Sequence, residues 1–255
     1  MKLGILAVLS CLLPACTSLH ARAYGGLTQA TLEGSVGLQS SAGNLPLNQN
    51  RVSLDDEAGV DQSEVLPYLR GELGMPIGSV TVSGFAFSET GGGRLAGNHQ
   101  FGDILPSSLI SSRLEFLNVK AAAHFDLVNV GVFRFSPGLG VDIFDLDAQI
   151  SQVGTSNFER IDNVAFVPML FGQAEVDLGV VAGTVDVGWI DVDLKDADGS
   201  YLDVEALVRV NPLPHFEVFA GYRFINIDAK GTADSRRFSA DFDLHGWMVG
   251  GGVTF

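Results

Sequence analysis

The chain has 255 residues, of which 46% are hydrophobic and 18% charged, with 31 glycines and a formal net charge of −15. So large a surplus of acid, with no basic cluster to meet phosphates, excludes nucleic acid as a partner and assigns most carboxylates to solvated surface. The composition suits one β domain, since apart from the N-terminal run no stretch approaches the ~18 to 20 apolar residues of a membrane-crossing helix.

At the N-terminus, Lys2 precedes an apolar run from Leu3 to Ala15, and Ala21-Arg22-Ala23 follows as a small-x-small cleavage site. This predicts a secretory signal peptide over residues 1–23 and a single β-barrel domain over 24–255. A competing cut lies before Cys16, where Leu13-Pro14-Ala15-Cys16 loosely resembles a lipoprotein processing box. Cleavage after Ala23 removes both Cys11 and Cys16, leaving no thiol for a disulfide, a metal site or a nucleophile.

Ten segments of period-two alternation follow, at about 28–40, 63–75, 78–90, 112–127, 130–146, 164–178, 181–195, 199–211, 215–229 and 239–255. Short connections such as Met75-Pro76-Ile77-Gly78 and Asn211-Pro212-Leu213-Pro214 take turns with long ones at about 41–62, 91–111, 147–163 and 230–238. That rhythm predicts an all-β, up-and-down antiparallel transmembrane barrel of about ten strands, with eight as the alternative and both chain ends periplasmic.

Sorting by parity separates an apolar face from an ionic one. Leu202, Val204, Ala206, Val208 and Val210 oppose Asp203, Glu205 and Arg209; segment one sets Ala30, Leu32, Val36 and Leu38 against Gln29, Thr31, Glu33 and Ser35. A membrane barrel is apolar outside, so the ionic faces are assigned to the lumen. The inward set is Glu33, Arg70, Glu72, Lys120, Arg134, Asp142, Glu175, Asp177, Asp186, Asp203, Glu205, Arg209, Glu217 and Arg223. Buried charges without partners cost several kcal/mol, so these must pair or meet water. A paired network predicts a plugged lumen, and the surplus of acid leaves a narrow, weakly cation-favouring pore as the alternative.

Trp189 and Trp247 lie about eight residues up their strands, roughly 20 Å above the periplasmic edge, with Phe125, Phe133, Phe216 and Phe255 near the opposite rim. They form two interfacial aromatic girdles. The chain closes on Trp247, Val249, Gly251, Val253 and Phe255 in strict alternation. This terminal pattern resembles the assembly signal of Gram-negative outer-membrane barrels. The stretch Ser53 to Asp61, the hairpin of segments two and three, the Leu105-Pro106-Ser107 approach to segment four and Phe255 resemble the small OmpA-like and OmpW-like barrel group. The resemblance implies an outer-membrane location, a monomeric state, contact with outer-membrane lipid and lipopolysaccharide, and recognition by the barrel-assembly machinery.

Catalytic motifs are weak. His99, His124, His215 and His245 have no serine two residues on, and no Gly-x-Ser-x-Gly elbow exists. His245 with Asp243 or Asp241 offers a rim dyad for a lipid or peptide hydrolase, though an interfacial histidine explains it more simply. Asp196-Ala197-Asp198-Gly199-Ser200 supplies oxygen ligands but lacks the spacing and final glutamate of a calcium loop, and an Asp-Gly turn explains it; Asp55-Asp56-Glu57 with Asp61 reads as an external acidic loop that keeps the surface hydrated, with divalent bridging to lipopolysaccharide phosphates as the alternative. The expectation is a non-enzymatic structural or surface-interaction barrel without catalytic residues, metal or cofactor.

Overall fold

The computed structural model describes residues 19–41, 49–60, 63–194, 197–233 and 236–255. Cys11, Cys16, Asp61 and Asp196, and most of the expected leader, lie outside these residues. The described chain is a twelve-stranded antiparallel sheet: β1 (His20–Leu38), β2 (Arg51–Ser53), β3 (Glu64–Met75), β4 (Gly78–Arg94), β5 (Leu109–Phe125), β6 (Val128–Val130), β7 (Phe133–Gln152), β8 (Phe158–Asp177), β9 (Val181–Leu194), β10 (Ala197–Leu213), β11 (Phe216–Ala233) and β12 (Arg236–Thr254). Ten long strands follow one another around a ring that closes by pairing β12 with β1, from Arg22 opposite Thr254 to Leu38 opposite Phe238. β2 and β6 are short pieces laid beside β1 and β7.

The strands outrun the predicted segments, and the reason is physical. On β5, the outward positions are Phe125, Ala123, Ala121, Val119 and Leu117 at the periplasmic end, then Glu115, Arg113 and Ser111. The inward positions change in the opposite sense, from His124, Lys120 and Asn118 to Phe116, Leu114 and Ile110. β7 does the same: Leu139, Val141 and Ile143 face out below Asp145 and Asp147, while Asp142 faces in below Phe144, Ala148 and Ile150. β12 changes between Trp247 and His245. The lower barrel is therefore apolar outside and ionic inside, as lipid demands, and the upper barrel is polar outside and apolar inside, as water demands. At ~3.3 Å per residue and a tilt near 40°, β12 carries the upper barrel roughly 25 Å beyond Trp247.

Two expectations are corrected by this inversion. The long connections at 91–111, 147–163 and 230–238 shrink because alternation continues through them: β7 and β8 leave only 153–157 between them, and β11 and β12 only 234–235. Segment one has its faces exchanged: Ala30, Leu32, Val36 and Leu38 are buried in the barrel and Glu33 is exposed. It lies above the band, where apolar residues belong inside.

Backbone chemistry fixes the upper wall. Gly34 has φ +129, and a Cβ there would sit 2.2 Å from the Asp241 carbonyl oxygen, so only glycine keeps β1 against β12. The Gly91-Gly92-Gly93 run of β4 lets residues 57–59 pack backbone to backbone, since a Cβ on Gly93 would fall 2.0 Å from the Glu57 carbonyl oxygen.

Candidate functional site

The lower lumen is filled by ion pairs in two tiers. Nearer the periplasm, Arg209 binds Glu175 and donates to Thr184 at 2.9 Å and Tyr24 at 3.1 Å. Arg134 reaches the same Glu175 at 2.7 Å, and Arg22 bridges Glu175 at 3.3 Å and Glu72 at 3.4 Å. Glu217 accepts a hydrogen bond from the Tyr24 hydroxyl. Above them Tyr24, Tyr68, Leu207, Phe219 and Met248 form an apolar cluster. The upper tier joins Arg70 to Asp186 at 2.7 Å and to Glu205, Lys120 to Asp203 at 2.7 Å, and Arg223 to Asp203 at 2.9 Å. Asp142 accepts from Asn118 and Tyr201, and Gln173 donates to Asp186 at 3.0 Å.

Over these tiers lies the core of the upper barrel. Phe116 stacks on Phe144 with centroids 5.3 Å apart, meets Phe85 at 5.9 Å and stands edge-on to Phe242 at 6.1 Å. Leu32, Leu114, Ile150, Ile161, Ile225 and Leu244 complete it, with Val52 from β2, Leu54 and Val60 from the segment after it, and Leu95, Phe101 and Ile104 from the connection before β5.

Of the predicted lumen charges, Arg70, Glu72, Lys120, Arg134, Asp142, Glu175, Asp186, Asp203, Glu205, Arg209, Glu217 and Arg223 line this interior. Glu33 and Asp177 do not. Glu33 is exposed on the outer face for the reason given above, and Asp177 is exposed at the β8–β9 turn, where its carboxylate caps the Gly179 amide at 2.7 Å. Sequence parity missed Arg22, which lay inside the expected leader, and the neutral partners Tyr24, Asn118, Gln173 and Tyr201. Charge alone was the signal used; inward tyrosine and amide side chains on the same parity would have marked them. With Glu33 and Asp177 gone and Arg22 added, acids and bases in the lumen nearly balance.

Trp189, Trp247, Phe125, Phe133, Phe216 and Phe255 are all exposed on the outer surface. Trp247 rests edge-on against Tyr222 at 5.0 Å, with Val249 exposed and Gly251 and Val253 half-buried below it on the same face. His245 tilts over the same Tyr222 ring at 6.4 Å, whereas Asp243 accepts from Asn226 Nδ2 at 2.7 Å. His124 is buried beside Thr81 at 3.2 Å, and His215 sits in a turn at φ 65.

A cleft of about 530 Å³ opens above the band between β1, β12 and residues 51–57. Glu33, Asp55, Asp56, Glu57, Asp241 and Asp243 line it with Arg51 and His99. Glu57 is the buried member: its carboxylate accepts from the Ser53 amide at 2.8 Å, the Ala96 amide at 2.6 Å and His99 Nδ1 at 2.9 Å. Hydrogen bonding by Ser53 holds the Asp55 carboxyl below the usual carboxylate range. Glu57 and His99 are 42 positions apart, so no local motif could announce the pair.

The ring, the exposed apolar band and the ionic lumen define an outer-membrane β-barrel protein of the Gram-negative envelope. Solved structures share this architecture at low identity. The outer-membrane protease OmpT of Escherichia coli aligns over 92% of this chain and 97% of its own, at 11% identity and TM-score 0.52. The Ail protein of Yersinia pestis aligns over 92% and 98% at 14% identity and TM-score 0.37. The Pseudomonas putida toluene transporter TodX aligns over 94% and 91% at 10% identity and TM-score 0.35. The OmpT likeness is one of fold. No family model and no curated protein sequence matches the chain.

Proposed function

We propose that this protein is a sealed, non-conducting barrel whose upper half stands above the membrane as a surface-interaction element. The observation that carries the reading is the core around Phe116, which crosses the lumen directly above balanced ionic tiers. A pore needs a continuous polar path. Here an ion leaving the charges of the lower barrel meets packed aromatic rings.

The outward wall of the upper barrel is acidic, with Asp241, Asp243 and Glu33 exposed or half-buried on the paired β12 and β1, and Asp191 and Asp193 exposed on β9. It suits partners that carry positive charge, and such binding weakens as salt rises. Planar-bilayer recording of the purified barrel tests the seal. The expected trace is flat; stable ohmic steps would replace this reading with the narrow channel.

A second reading, a rim hydrolase, is favoured by one observation, the buried Glu57 orienting His99 at the edge of an open cleft. Peptide or ester turnover by the folded protein, lost in His99→Ala with gel mobility unchanged, would establish it. The absence of turnover on both substrate classes removes it.

A further inference from the structure

Two ladders of the ring stop short of the strands that form them. β8 pairs with β9 only from Asp177 opposite Ala182 to Leu170 opposite Trp189, and β3 pairs with β4 only from Met75 opposite Gly78 to Tyr68 opposite Phe85. A proline stands at each stop: Pro67 lies one residue above Tyr68, and Pro168 two above Leu170. Both prolines pair on their other side, with Leu27 of β1 and Val141 of β7, so the missing amides fall on the side where the ladders end.

The two gaps differ in what covers them. Residues 57–59 pack against Gly91 and Gly93 of β4 and cover the first. At the second, β8 from Phe158 to Met169 is laddered only to β7, and β9 from Ile190 to Leu194 only to β10. Each strand therefore turns a row of backbone donors and acceptors to the gap. Side chains report the same opening. Ala165 and Val167 of β8 and Ile190 and Val192 of β9 point inward but are only half-buried, whereas Leu114, Phe116, Phe144 and Ile225 on fully laddered strands are buried. Met169 is buried against Gly188, where an added Cβ would strike its sulfur, and closes the foot of the gap. Outward residues on β9 change there from Val187 and Trp189 to Asp191 and Asp193, which puts the gap at the upper rim of the apolar band and above it.

We propose that the free edge of β8 beside β9 takes an extended segment of an extracellular protein as an added strand, its apolar side chains turned inward against Val167 and Ile190 and its basic ones outward. The proposal rests on the surface-interaction reading and names the partner class and the place. An extended backbone is what a row of edge groups can pair with. The half-buried inner row sets one parity of the incoming strand, and exposed Asp162, Asp191 and Asp193 beside the gap set the other. The same acids, with a net charge of −15, oppose a second copy of this chain.

The test gives the full barrel a synthetic peptide of about eight residues alternating lysine and valine. Its fully N-methylated form is the control, with the same charges and side chains but no amide donor. Amides of Asp162, Val164 and Phe166 share the parity of Pro168 and face the gap. Binding should therefore slow hydrogen exchange over 158–168, and the N-methylated peptide should bind at least about ten-fold more weakly. Val164→Pro removes a gap-side donor without touching the β7 ladder and should weaken binding likewise, with folding reported by heat-dependent gel mobility. Asp191→Asn with Asp193→Asn leaves every backbone group in place and should lower affinity and its salt dependence together. Equal binding of the two peptides, equal binding by folded Val164→Pro, binding of polylysine alone, or binding that leaves exchange over 158–168 unchanged overturns the edge and leaves the surface-interaction reading standing. Failure of both this peptide and polylysine to bind overturns that reading as well.

Discussion

Arg223→Met is the most direct probe of the ionic lumen, because it keeps most of the side-chain volume and removes the charge with its N–H donors. Arg223 is 3% exposed and grips Asp203 through Nε at 3.1 Å and Nη2 at 2.9 Å, while Nη2 also donates to Asn118 at 2.9 Å. Glu205 and Asp142 lie 3.7 and 3.8 Å away, and the guanidinium sits 5.2 Å from the Phe85 ring centroid. Without it, Asp203, Asp142 and Glu205 are left with Lys120, already 2.7 Å from Asp203 and 3.7 Å from Glu205, and with Arg70, which holds Glu205 but is shared with Asp186. Removing one side of a buried pair costs about 3–5 kcal/mol, and the lost cation–π contact adds about 0.5–1 kcal/mol, so the expected destabilisation is about 4–6 kcal/mol. Urea unfolding in phospholipid vesicles, followed by Trp189 and Trp247 fluorescence and by heat-dependent gel mobility, measures it. Arg223→Met combined with Asp203→Leu removes both charges and should recover most of the loss. A single-variant loss below about 1 kcal/mol, or a double variant as unstable as the sum of its parts, would refute the reasoning and mean that water screens these charges.

Phe116→Ala empties the centre of the upper core and should cost about 3–5 kcal/mol in the same unfolding assay, yet open no conductance, because the ionic tiers beneath stay closed; ion flow through the variant would show that the aromatic layer alone makes the seal. At the barrel tip, the Ser41 hydroxyl first and its amide second hold the Asp103 carboxyl below its ordinary range. A depressed folded pKa contributes stability that is present above the unfolded value near ~3.9 and is lost as pH falls through the folded one. The Ser41 amide, 2.9 Å from Asp103 Oδ1, should therefore lose hydrogen-exchange protection, corrected for intrinsic rate, as pH falls below the unfolded value of ~3.9; protection that does not change on acidification refutes the assignment. Mass spectrometry of the protein from outer membranes is expected to find an N-terminus upstream of His20, since a cut after Ala23 would delete the paired start of β1 and the Arg22 bridges to Glu72 and Glu175. A mature chain beginning at Tyr24 would refute it.

The membrane-spanning part of the fold was legible because one rule governs it. Where strands cross lipid, parity alone assigns Val204 outward and Asp203 inward, and the structure has both so placed. The upper barrel was illegible to that rule, because water reverses which parity faces out. Glu33 and its β1 neighbours were misassigned for this reason, and the same reversal made Asp147 and Asp162 read as loop rather than strand. Acid-rich alternation such as Asp241-Phe242-Asp243-Leu244 carries as clear a period of two as any lipid-facing run. What it lacks is a fixed outside until the membrane boundary has been located. The Glu57–His99 contact depended instead on residues 57–59 folding against the glycine run of β4 and meeting the connection that follows that strand, a tertiary event with no local period.

The reversal also bears on why the barrel holds one register. A slip of one residue in any strand turns all its side chains to the opposite face. For β5, such a slip would push Lys120 into hydrocarbon at a cost of about 2–4 kcal/mol near the midplane. In the same step it would drive Glu115 into the core and Phe116 out into water. A barrel wholly within lipid opposes slippage through its ionic lumen alone, and a soluble barrel through its apolar core alone. β5 and β7 carry both, so a single misregister of either is penalised twice along its length. The charged lumen can thus be maintained by selection for unique assembly, without any demand that it conduct.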